Sequence, residues 1–211
     1  IVLTFNREID DTTIDGKIFF TDEDGLEPTG GVQINCDDNK VTLPQDFNGQ
    51  AYYVDKLLSN DKVEELSLPQ GMVILQNAFT NLNNLKKVTI SKNTTLHSDA
   101  FLDCHDLEEV YFDGDLAAWL ELQFSESANP MFYAEKLYYK NNNEFVLLEE
   151  DLIIPDGVTR IKSYAFNNLT SIKRVHIPTS VTSIEYFAFA GCNLLEEITI
   201  PNSVTSISNS A

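Results

Sequence analysis

Residues 177–211, IPTSVTSIEYFAFAGCNLLEEITIPNSVTSISNSA, say nearly the same thing twice. Followed backward, the repetition becomes a register. Pro155, Pro178 and Pro201 are 23 residues apart, and the same spacing relates Val158, Val181 and Val204, then Ile161, Ile184 and Ile207, then Ala165, Ala188 and Ala211. At a period of 22 the columns continue through Ala78-Phe79 and Ala100-Phe101, Leu82 and Cys104, Leu85 and Leu107, and Leu66, Val88 and Val110. A unit of this length cannot bury its apolar side alone, so a fixed period predicts stacked units, each sealing the next.

Within a unit, RVHIP (174–178) and EITIP (197–201) alternate apolar and polar residues. That is the pattern of a short strand with one buried side, carrying Val175 and Ile177, or Ile198 and Ile200. The proline that follows has no amide hydrogen and turns the chain out of the sheet. SVTSI is a second short extended or turn segment that buries every third residue. Ala165 or Ala188 then permits close approach beside Phe166 or Phe189 where the coil bends back. The expected fold is a β-rich repeat solenoid.

The pattern IPxxVTxIxxxAFxxCxxLxxIxIP, over residues 63–112 and 152–211, resembles the bacterial BspA-like leucine-rich repeat family. The resemblance implies a right-handed α/β solenoid with a parallel sheet on one face and turns or short helices on the other. It also implies a secreted or cell-surface protein used in adhesion or recognition.

The period breaks over 113–151, where Leu116, Trp119, Leu120 and Leu122 suggest a helix and KLYYK a strand. The family resembled often carries an insertion of this kind, matched here by Trp119, Phe124, Asn129, Pro130, Ala134, Leu137 and Tyr138. Trp119 either centres a binding lobe or plugs the place of a missing rung. The plug is favoured, because an aromatic of that size gains more from burial than from display. Residues 1–55 lie outside the repeat: IVLTFN, GKIFFTDEDG and NKVTLP are β-rich runs separated by Asp/Gly turns, which predicts antiparallel pairing. They form a small β-rich N-terminal module, with a partial resemblance to one kind of bacterial immunoglobulin-like surface module, or a cap on the first rung. The solenoid then spans 56–211, its start a degenerate repeat between Pro44 and Pro69.

Composition narrows the function. The 211 residues include 33 acidic and 14 basic side chains, a net charge of -19, which repels phosphate backbones and anionic lipid. No apolar run approaches the roughly 20 residues that cross a bilayer. Neither nucleic acid nor membrane insertion is expected. The chain opens at Ile1 without an initiator Met, as a piece of a longer precursor would, and Ala211 falls in the small-residue column, so the register expects Phe next.

Catalytic chemistry finds little material. Cys104 and Cys192 share a column with Leu82 and Leu169 and are read as small buried hydrophobes. At least two rungs apart, at about 4.8 Å per rung, they exceed the roughly 7 Å Cα limit for a disulfide. Cys36 leaves the count odd. His105 follows Cys104 at a turn, where adjacent side chains point apart, so a thiolate-imidazole pair is not expected. His97 falls near the column of Leu75 and Ile161, with Leu96 available to pack instead. TDEDG (21–25) offers oxygen ligands without EF-hand spacing and reads better as a solvated turn than as a calcium site. Asn93 and Asn168 head sequons and are read as turn residues. No enzyme activity, cofactor or metal is expected.

Between the buried positions, Glu65 and Ser67, Lys87 and Thr89, Glu109 and Tyr111, Arg174 and His176, and Glu197 and Thr199 line up on the outer face of the strands. Alternating charge suits ladders that neutralise one another. Tyr111, Arg174 and His176 are the candidate binding residues, since aromatic and Arg side chains are the usual anchors. The expected function is extracellular or cell-surface binding of a protein or glycan by a monomer; the alternative is a structural spacer in a longer surface protein.

Overall fold

The protein is described here by a computed structural model covering residues 18–21, 35–37, 40–42, 52–57, 63–68, 70–124 and 128–211. The acidic stretch Asp22–Gly25, most of the N-terminal module, Pro44 and Pro69 lie outside the described residues. In chain order the strands are β1 (Ile18–Thr21), β2 (Asn35–Asp37), β3 (Lys40–Thr42), β4 (Tyr52–Leu57), β5 (Glu65–Leu68), β6 (Met72–Ile74), β7 (Lys87–Ser91), β8 (Thr95–Leu96) and β9 (Glu109–Asp113). Helix α1 (Leu116–Glu121) follows, then β10 (Gln123–Phe124), a 3-10 turn at Pro130–Phe132, β11 (Lys136–Asn141), β12 (Glu144–Leu147) and β13 (Glu150–Ile153). The last strands are β14 (Arg160–Ile161), β15 (Ile172–His176), β16 (Ser183–Ile184), β17 (Glu197–Thr199) and β18 (Ser206–Ile207). The chain divides into two compact units, Ile1–Leu107 with Gln123–Ala128, and Glu108–Leu122 with Asn129–Ala211.

In the first unit β1 pairs antiparallel with β4, and β2 with β3. The later pairings, β3 with β5, β4 with β6, β5 with β7, β6 with β8 and β8 with β10, are all parallel. A parallel neighbour requires a full crossover before the chain returns, which is one turn of the coil. The register keeps the columns: Leu66 sits opposite Val88 and Leu68 opposite Ile90. All four are buried, and the residues between them face out.

The second unit repeats the plan. β9 and β11 are parallel, with β12 antiparallel at the edge. β13, β15 and β17 form a second sheet, and β14, β16 and β18 a third, both parallel. Val175 and Leu152 pair and are buried, as the alternation predicts. Ile177 is half-buried, and Ile198 and Ile200, which the alternation would bury, are 37% and 40% exposed.

The turns carry a ladder of their own. Phe79 N–H donates to the Ala100 carbonyl (2.8 Å) and Asn81 N–H to Leu102 (2.9 Å), and in the second unit Phe166 N–H donates to Ala188 (3.0 Å) and Asn168 N–H to Ala190 (2.8 Å). To aim these groups along the stack, the residue before each Ala takes a left-handed φ: Asn77, Asp99, Tyr164, Phe187 and Ser210. Phe79 stacks on Phe101 at 5.5 Å and Phe166 on Phe189 at 5.7 Å. Beside them Ala78, Ala100, Ala165 and Ala188 are buried where a larger residue would hold the turns apart.

The insertion replaces a rung of the second unit. Asp115 caps α1 by accepting from Ala118 N–H (2.8 Å), and Leu116, Trp119 and Leu120 face inward. Trp119 is 1% exposed, lies edge-on to Phe112 at 5.4 Å, and donates its Nε1–H to the Ala165 carbonyl at 3.0 Å. In regular turns that carbonyl position accepts from the preceding Phe N–H, so the indole supplies both the fill and the donor. Trp119 is a packing plug. Gly114 leaves room for the Phe112 ring, which a Cβ there would meet at 2.6 Å.

Candidate functional site

The outer strand face holds all three candidate residues, and β-pairing sets their neighbours. β9 and β11 place Tyr111 opposite Tyr138. The two rings stack at 4.2 Å, nearly parallel at 6°, and Phe145 of β12 meets Tyr111 edge-on at 5.2 Å. Lys140 Nζ lies 4.3 Å from the Phe145 ring centre, a cation-π contact. Tyr111 Oη donates to Glu109 Oε2 (3.3 Å). Burial, then the negative charge of Glu109, pushes the phenol well above its ordinary value, so it stays protonated.

Arg174 and His176 belong to β15 and converge on one carboxylate. Arg174 Nη2 donates to Asp151 Oδ2 at 2.9 Å while Nε holds Oδ1. His176 Nε2 lies 3.8 Å from the same Oδ1. The Arg174 hydrogen bonds hold the Asp151 carboxyl below the usual carboxylate range. Tyr111 sits in another sheet, so the structure brings Arg174 and His176 together and leaves Tyr111 with its own aromatic neighbours.

The charge columns are ladders, as their alternation suggested. Lys87 pairs with Glu65 (3.9 Å), Lys136 with Glu109 (3.1 Å), Lys140 with Asp113 (3.8 Å) and Lys173 with Glu150 (2.8 Å). Most of these side chains are substantially exposed, where such pairs contribute little to stability. They fix side chains more than they hold the fold.

Chain chemistry elsewhere is quiet. Cys104 is buried and donates Sγ–H to the Phe79 carbonyl (3.1 Å); Cys192, half-buried, makes the same bond to Phe166 (3.1 Å). Burial pushes the thiols up to about 12 and about 11, so neither forms a thiolate at neutral pH. His105 points out, 3.5 Å from Asp103, and His97 is exposed while Leu96 packs inside. Among the described residues, no group of His, Cys, Asp or Glu could hold a metal ion, and no helix is long and apolar enough to cross a membrane.

The BspA-type leucine-rich repeat matches residues 35–130 and 141–211 in six copies. The chain belongs to the BspA-type leucine-rich repeat family. No curated protein matches it. Among solved structures, it is similar to a leucine-rich cell surface protein of Faecalibacterium prausnitzii A2-165, at 22% identity over 86% of this chain and 50% of that one, TM-score 0.39. It is also similar to a leucine-rich repeat protein of Bacteroides ovatus, at 17% identity over 84% and 54%, TM-score 0.42. A T. pallidum leucine-rich repeat protein gives 17% identity over 86% and 85%, TM-score 0.42. The chain spans about half the length of the first two.

Reading the BspA-type repeat from sequence missed the residues that join the insertion to the next regular turn. Asn167 Nδ2 donates to the Met131 carbonyl (2.9 Å), Asn168 Nδ2 to Phe132 (3.0 Å), and Lys162 Nζ to Leu122 at the end of α1 (2.9 Å). A signal was present: Asn167 stands in a column otherwise filled by Thr80, Leu102 and Ala190.

Proposed function

We propose that this BspA-type repeat protein is an extracellular or cell-surface recognition module that holds a protein or glycan on the outer face of its strands, working as a monomer and without catalysis. The observation that carries the reading is the cluster of Tyr111, Tyr138 and Phe145, packed ring on ring, with Phe145 39% exposed, on a face otherwise made of charged and small polar side chains. Aromatic side chains held by their neighbours give contact area at small entropic cost, which is what a binding anchor requires. Arg174 and His176 form a second, polar patch whose charge is already balanced by Asp151. It would contribute selectivity more than affinity.

The test is an array of immobilised matrix proteins and glycans probed with the soluble chain. Tyr111→Ala is expected to weaken the strongest signal by at least about tenfold, with Arg174→Ala weaker in effect. Melting of both variants should shift by no more than a few degrees. An unaltered chain that binds nothing above background favours the spacer instead.

A further inference from the structure

A second aromatic surface runs along the turns of the second unit, apart from the strand that carries Tyr111. Tyr133 packs edge-on to Phe132 (4.9 Å, 70°), Phe132 tilts against Tyr164 (5.6 Å, 60°), and Tyr164 stacks flat on Phe187 (5.1 Å, 8°). Phe132 is 45% exposed and Phe187 37%, and Tyr186, next to it in the chain, is 43% exposed.

The backbone disfavours these residues. Tyr164 and Phe187 stand directly before Ala at φ +59° and +55°, where the first unit has Asn77 and Asp99 at +60° and +57°. Asn and Asp accept a left-handed φ readily, whereas a bulky ring is strained there by on the order of 1 kcal/mol or more. Mutual stacking returns about 0.5–1.5 kcal/mol. The turn itself does not need rings: Ala78 N–H bonds to Leu75 beside Asn77 (3.3 Å) as Ala165 N–H bonds to Lys162 beside Tyr164 (3.1 Å).

The row is also held in place. Asn167 and Asn168 clamp the Met131 and Phe132 carbonyls, and Asn168 Oδ1 occupies the space over Gly191, where any Cβ would collide. A rigid apolar row loses little entropy when it is covered.

Its chemistry selects the occupant. Tyr164 and Phe187, stacked flat, cover one another's faces and leave their edges for a ligand, and ring edges pack against apolar chains or the faces of other aromatics. The unit that carries them is acidic, with 14 Asp and Glu against 6 Lys and Arg in residues 108–122 and 129–211. The chain carries -19 overall, and Lys136, Lys140, Arg160, Lys173 and Arg174 are each already paired to a carboxylate of the same unit. We infer that the row of Phe132, Tyr164 and Phe187 docks a basic polypeptide segment of a partner protein, its aromatic or aliphatic side chains against the ring edges and its Lys or Arg toward the acidic surface.

The test uses fluorescence anisotropy of a labelled peptide of alternating Lys and Phe on the full chain, beside an all-Lys peptide of equal charge and a neutral cello-oligosaccharide. The Lys-Phe peptide is expected to bind and to stay bound at salt that releases the all-Lys peptide. The double variant Tyr164→Asn, Phe187→Asn should bind it at least about tenfold more weakly, with melting unchanged or raised because Asn suits the turn. Failure of the peptide to bind, equal binding by the variant, or capture of the oligosaccharide in its place overturns the inference. A variant that melts more than a few degrees lower also overturns it, since the rings would then serve the fold.

Discussion

The second unit fills its interior in two ways. In the regular turns, Phe166 stacks on Phe189 and the Phe166 N–H bonds to the Ala188 carbonyl. In the insertion there is no Ala-Phe pair; Trp119 packs on Phe112 and its Nε1–H bonds to the Ala165 carbonyl. The difference teaches that the stack requires two services at each level, apolar volume and a donor for the Ala carbonyl. A regular rung divides them between side chain and backbone, whereas the insertion places both on one indole.

The comparison breaks most sharply at Trp119. Trp119→Ala removes fill and donor together and is expected to destabilise by about 3–5 kcal/mol, read as a lower urea midpoint. Trp119→Phe keeps most of the fill and orphans the Ala165 carbonyl, at a cost of about 1–3 kcal/mol. A Phe variant as stable as the parent would show that the donor is dispensable.

The regular rungs have their own weak point, a thiol where other turns have leucine. Cys104 ionises at about 12 in the fold against 9.0 for the ordinary thiol, because burial opposes the thiolate. The folded pKa is the higher one, so this stabilisation is complete below pH 9 and declines as pH rises toward 12, by up to about 1.4 kcal/mol per unit. Urea midpoints between pH 8 and pH 11 should therefore fall in the parent, and the slope should flatten in Cys104→Ala. Equal slopes would show that the Cys104 thiol makes no difference to the alkaline loss.

Much of this was legible in the sequence, for a physical reason. A repeat writes its core several times, so Val158, Ile161, Ala165 and Phe166 each had aligned counterparts to confirm them, and the strand register followed from the spacing. Trp119 was legible as a plug because its size argues for burial. The junction was not legible. Asn167 and Asn168 act once, on carbonyls 36 residues away, and no period marks a single event. The left-handed aromatics escaped for a related reason: composition shows Tyr164 and Phe187 in the turn column, and only the backbone angle shows that they are strained there.

Asn167 is where the two kinds of filling meet, and it gives the finest test of how they join. The same column holds Leu102, exposed at 40%, in the first unit, whereas Asn167 is 6% exposed beneath the insertion's 3-10 turn. Asn167→Ala leaves the buried Met131 carbonyl without its donor and should cost about 1–3 kcal/mol. Leu102→Ala at the equivalent exposed position should stay within about 0.5 kcal/mol. The pair of urea curves separates the explanations: equal small losses would mean that the insertion rests on its own packing, and an excess at Asn167 would show that the regular turn holds the insertion by this amide. The second outcome is expected, since the Met131 carbonyl is a buried acceptor and buried acceptors are rarely left unpaired.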